Sequence, residues 1–164
     1  MPSPNGYATF LLANYADFLS GGNEKRLNSP DWSNVTSGKL NELSVAHFLT
    51  EQGLTENIEA LPRARIEDAG GGVLPAEILS SQAERILIRV VAHQPSTLVL
   101  ADTYYPGWEA KVDGVPTRIE PKGAFRSVGV PTGESLVEFR FLPRSVVYGM
   151  LITAATVVLA ILFL

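Results

Sequence analysis

The run Asp102-Thr103-Tyr104-Tyr105-Pro106-Gly107-Trp108 holds the residue types best suited to chemistry in this chain. Sugar rings offer apolar C–H faces and a rim of hydroxyls, so an aromatic ring beside an acid can stack on one and hydrogen-bond the other. Tyr105 and Trp108 would be the stacking members, with Asp102 and Arg126 as the hydroxyl partners. The same aromatics beside a tight turn serve equally as core anchors where two strands meet, and the spacing leaves both readings open. Alternation puts Trp108 on the face of Ala110 and Val112, which favours its burial; the turn at Pro106-Gly107 leaves Tyr105 as the exposed member.

Other ingredients of catalysis do not assemble. His47 and His93 are far apart and lack metal-ligand partners at local spacing. There is no Gly-x-Ser-x-Gly elbow, and Gly70-Gly71-Gly72 lacks the Lys-Ser/Thr and helix start of a phosphate loop. Glu67-Asp68 beside those glycines reads as a solvated pair. The chain has no cysteine, hence no disulfide, thiolate nucleophile or Cys-ligated zinc. No catalytic residue, metal or cofactor is expected.

Thirteen basic and 17 acidic residues give a net charge of −4, which supplies no electrostatic reason to expect nucleic acid. With 14 glycines and 11 prolines in 164 residues, the composition is that of one folded domain. The charges are segregated: all lie in residues 1–144, and 145–164 carry none. Val146–Leu164, VVYGMLITAATVVLAILFL, lacks the polar stripe of a core helix, and its rise of about 28 Å approaches the hydrocarbon thickness of a bilayer. A transmembrane helix is therefore expected over 145–164, with the lipid bilayer as its partner. Met1–Asn5 has neither a basic start nor a following apolar run, and Arg140 and Arg144 flank the span. Read alone, these features place a tail-anchored domain in the cytoplasm.

Upstream of the span the periodicity is mostly that of strands. Residues 6–20 carry Phe10, Leu11, Tyr15, Phe18 and Leu19 at helical spacing before Gly21-Gly22, and residues 23–41 are irregular. Residues 43–49 alternate as a strand. In 85–93, Ile86, Ile88, Val90 and Ala92 share one face, and 97–105 is apolar on both faces, as in a strand covered on both sides. Asp113-Gly114 between Val112 and Val115 is a two-residue hairpin turn. Strands follow over 115–120, 124–130 and 136–141; 75–79 reads as either a helix turn or a strand. Short strands at this spacing predict a mainly β fold, an antiparallel β-sandwich over 43–144 behind a lead-in over 1–42.

Leu98–Pro121, LVLADTYYPGWEAKVDGVPTRIEP, then Ala124-Phe125-Arg126 and Val137-Glu138-Phe139 before the apolar span, resembles the C-terminal region of bacterial YfhO-type membrane proteins. Leu43–Thr50 is similar to a family strand, with His47 where an aromatic is usual; Tyr15–Leu19 and Ala60–Ala64 fit further motifs. The resemblance covers nearly the whole chain. It implies a relation to glycosyltransferases that use polyprenyl-phosphate-linked sugars to decorate cell-surface polymers. In that architecture the catalytic acids lie in a many-helix N-terminal part, which has no counterpart in these 164 residues. The chain would then be a non-catalytic module of a larger YfhO-like protein, partnered by that helical part and by cell-surface glycans. Its domain would lie on the extracytoplasmic side of the bacterial cytoplasmic membrane, which overrides the orientation read from two arginines. The alternative is a stand-alone, tail-anchored interaction module with no sugar chemistry.

Overall fold

Alternation of apolar and polar side chains on the second sheet, and apolar runs on the first, give this chain its layers. The structure, a computed structural model, describes Phe18, residues 37–50 and residues 53–162. A short helix α1 (Ser37–Glu42) leads into the hairpin β1 (His47–Thr50) and β2 (Gly53–Glu56). Then come β3 (Ala64–Glu67), β4 (Val73–Pro75), β5 (Glu77–Ser81), β6 (Arg85–Ala92) and β7 (Ser96–Thr103). The series continues with β8 (Trp108–Val112), β9 (Val115–Thr117), β10 (Glu120–Lys122), β11 (Phe125–Val130) and β12 (Gly133–Phe141), and a helix α2 (Arg144–Leu162) follows.

Two five-stranded antiparallel sheets form, in the orders β10-β11-β7-β3-β4 and β5-β6-β12-β8-β9. The core lies between them. Ala64, Ile66, Leu98, Leu100, Val128 and Val130 of the first sheet meet Ile86, Ile88, Val90, Val137 and Phe139 of the second. The expected face of β6 is the buried one. On the outer face of the second sheet, Arg85 pairs with Glu138 and Arg89 with Glu134. The first sheet is covered on its outer face as well: Phe18 and Leu43 pack on Val99, Ala124 and Phe125. That second layer is why β7 is apolar on both faces.

The helix expected over 6–20 lies outside the described residues except for Phe18, which is helical and sits 5.1 Å, ring to ring, from Phe125. Residues 37–42, expected to be irregular, form α1. The strand expected from residue 43 begins only at His47, because Leu43–Val45 close α1 instead. Ser44 takes a left-handed φ of 59°; its N–H bonds Asn41 O and the Val45 N–H bonds Leu40 O, both at 3.0 Å, a Schellman cap. The expected strand over 115–120 is two strands in different sheets. Pro116 and Pro121, which have no N–H to donate, lie on the edge strands β9 and β10, and the chain crosses between the sheets at Arg118-Ile119. Residues 75–79 make a similar crossing, from β4 to β5, pinned by the Ala76 N–H on Ala64 O at 2.9 Å.

The turn Asp113-Gly114 has φ values of 52° and 81° and joins Val112 to Val115 in register, a type I′ hairpin. The 19-residue α2 follows β12, with Val146 and its apolar side chains from Tyr148 to Leu162 exposed. Thr153 and Thr156 donate to the carbonyls of Gly149 and Ile152, so their hydroxyls are satisfied within the helix. Among the described residues no helix is long and apolar enough to cross a membrane. The charge-free Val146–Leu162 rises about 26 Å against roughly 30 Å of hydrocarbon, and Phe163 and Leu164 lie outside the described residues.

Candidate functional site

Asp102 near the end of β7 and Arg126 at the start of β11 are brought together by the pairing of those strands. Arg126 Nη2 donates to Asp102 Oδ2 at 2.7 Å. Arg63, just before β3, clasps the same carboxylate at both oxygens, Nε to Oδ1 at 2.9 Å and Nη2 to Oδ2 at 3.0 Å. Asp102 thus accepts three charge-assisted hydrogen bonds from two guanidinium groups. The hydrogen bonds to Asp102 raise the Arg63 pKa above its ordinary value, against a smaller opposing effect of burial.

Arg126 is a core residue in spite of its charge, 2% exposed. Its guanidinium carbon lies 3.8 Å from the Trp108 ring centroid and 5.5 Å from that of Phe139. Burial drives its pKa down to about 10, more than Asp102 restores, and Arg63 pushes the same way. Nε and Nη1 have no hydrogen-bond partner among the described residues. The stack on Trp108 is what remains to compensate them.

Trp108 is half-buried against the core, one ring face taken by Arg126, and its ring lies 5.3 Å from that of Phe141. Tyr105 is 46% exposed, with its ring 6.3 Å from Phe141. Between them Gly107 adopts φ 111°, and a Cβ there would stand 3.0 Å from the Phe141 ring and 3.2 Å from the Pro143 backbone. The Gly107 carbonyl accepts the Leu142 N–H at 2.7 Å. The turn after β7 is therefore fastened onto the segment that joins β12 to α2.

All four residues singled out from the sequence, Asp102, Tyr105, Trp108 and Arg126, belong to this one corner. Only Tyr105 offers an exposed ring; Asp102 and Arg126 are committed to each other and to Arg63. Arg63 and Phe141 are members that sequence reasoning missed, since an arginine before a strand and an aromatic at a strand end carry no distinctive signal.

Two further polar clusters lie on the first sheet and its glycine loop. Buried Arg65 donates to Glu67 at 2.8 Å and reaches the Glu42 carbonyl at the end of α1; Lys122 also donates to Glu67. Burial alone would raise the Glu67 pKa, but the bonds from Lys122 and Arg65 outweigh it and hold the carboxyl below its ordinary value. Asp68 accepts the N–H groups of Gly70 and Gly72 and so shapes the glycine loop. Among the described residues no group of three or more His, Asp or Glu is placed to hold a metal ion. The fold and corner define an antiparallel β-sandwich with a helix after its last strand that carries no charge beyond Arg144. No protein-family model, curated protein or solved structure matches the chain.

Proposed function

We propose that this chain is the non-catalytic, membrane-anchored module of a YfhO-like protein engaged in glycosylation of cell-surface polymers. Its sandwich lies on the extracytoplasmic side of the bacterial cytoplasmic membrane, and the apolar segment from Val146 onward is its anchor. The observation that carries the reading is the junction between β12 and α2. The Tyr-Tyr-Pro-Gly-Trp segment, on which the resemblance chiefly rests, is bonded and packed onto Leu142 and Pro143, where the sandwich hands over to the helix. A corner built this way sets the attitude of a domain relative to its anchor. Its one carboxylate is saturated by arginines, which suits positioning rather than proton transfer. Contact with a sugar or an acceptor falls to the exposed Tyr105 ring.

α2 exposes apolar side chains on every turn, and its two threonine hydroxyls are satisfied within the helix, as suits a lipid-facing helix. The test uses cells that carry the protein natively and an antibody against the sandwich. The protein is expected to stay in the membrane pellet through alkaline carbonate washing, and protease added to spheroplasts is expected to remove the antibody signal. Release by carbonate, or full protection in intact spheroplasts, would overturn the proposal.

A further inference from the structure

A groove of about 690 Å³ opens where the sandwich meets α2. Glu84, Arg85, Glu138 and Arg140 line it, with Val146 and Met150 of α2 as an apolar wall. Register sets Arg140 directly opposite Arg85, a like-charge cross-strand pair that is unfavourable unless something bridges it. Arg85 turns its Nε to Glu138 at 2.6 Å. Arg140 has no ion pair among the described residues, although Glu109 faces it from β8. Glu84 has none either, and its backbone is fixed by the Phe141 N–H on its carbonyl at 2.8 Å. The groove therefore offers an uncommitted cation, an uncommitted anion and an apolar wall that continues along the helix.

We propose that this groove binds the headgroup of a phosphatidylethanolamine-type lipid. The phosphate lies on Arg140 and the remaining N–H groups of Arg85, the ammonium donates to Glu84, and the acyl chains run along Val146 and Met150. The proposal rests on the reading of α2 as a membrane anchor. A purely anionic headgroup would set its phosphate near Glu84 with nothing to answer that carboxylate. A choline headgroup has no N–H to donate to it. A soluble phosphate would leave the Val146–Met150 wall uncovered, so the lipid is the occupant that uses the whole groove.

The full chain is first mixed with phosphatidylcholine vesicles, which reports the anchor alone. The protein in mild detergent is then offered equal amounts of phosphatidylethanolamine and phosphatidylcholine with identical acyl chains, and retained lipid is counted by native mass spectrometry. Vesicle association together with about tenfold preference for the ethanolamine lipid is expected, the scale of one hydrogen bond to a charged group. Glu84→Gln should abolish the preference while leaving phospholipid bound, and Arg140→Gln should lower retention of both lipids; both positions are exposed, and circular dichroism checks the fold. Vesicle association with equal retention, or a preference that survives Glu84→Gln, overturns the groove proposal and leaves the anchor standing. Failure to associate with vesicles overturns the anchor and the groove with it. Competition by water-soluble glycerophosphoethanolamine as strong as by the lipid would overturn the lipid assignment.

Discussion

Replacing Arg126 separates what its side chain does as volume from what it does as charge. The guanidinium fills the space beside Trp108 and Phe139 and spends one nitrogen on Asp102. Burial lowers its pKa from the ordinary arginine value to about 10, so keeping it charged there costs on the order of 3 kcal/mol after the help of Asp102. Arg126→Met keeps most of the volume and removes both that cost and the unpartnered N–H groups. It loses the stack on Trp108, worth about 1–2 kcal/mol. Asp102 is not stranded, because Arg63 still holds both its oxygens. The expected result for Met is therefore a stability between that of the parent and about 2 kcal/mol above it, in line with buried ion pairs elsewhere. Arg126→Ala gains the same relief but empties the space next to two rings, and large-to-small core changes cost about 2–5 kcal/mol. Ala should therefore lie below Met by about 2–5 kcal/mol. Urea denaturation of the full chain in mild detergent, followed by the β-sheet circular dichroism signal, measures both. If Met proves as damaging as Ala, the charge itself holds the corner and the reasoning is refuted.

Gly114→Val should lower stability by about 1–3 kcal/mol through backbone strain alone, since φ is 81° and a Cβ there meets nothing; an unchanged urea midpoint would contradict this. Gly107→Ala combines a φ of 111° with contacts at 3.0 and 3.2 Å, and a loss of about 2–4 kcal/mol is expected, together with faster proteolysis between β12 and α2. Glu67 has a folded pKa below its unfolded value of 4.5, so the stability it contributes is complete above pH 4.5 and is lost as pH falls through the lowered folded value. Glu67→Gln should flatten that part of the stability–pH curve, and a curve of unchanged slope would exclude the role. Deleting 146–164 should release a soluble domain with its β signal intact, because Val146 and the apolar side chains from Tyr148 to Leu162 are exposed and absent from the core; loss of that signal would show that the helix belongs to the fold.

Period-two alternation was enough to place the buried face of β6, because the strand carries that information in its own side chains. Asp113-Gly114 announced its hairpin for an equally local reason, two residues able to hold positive φ. The uncharged C-terminal stretch likewise announced an apolar helix. The α1 cap was legible only in principle, since its left-handed residue is Ser44 rather than the usual glycine. Local pattern does not say which strands become neighbours. The strand pairing places Arg63 against Asp102, 39 residues on, and sets Arg126 across the ring of Trp108. Alternation would assign such an arginine to water. It is buried because an acid on β7 and a ring on β8 converge on it, and that convergence exists only once the two sheets are packed.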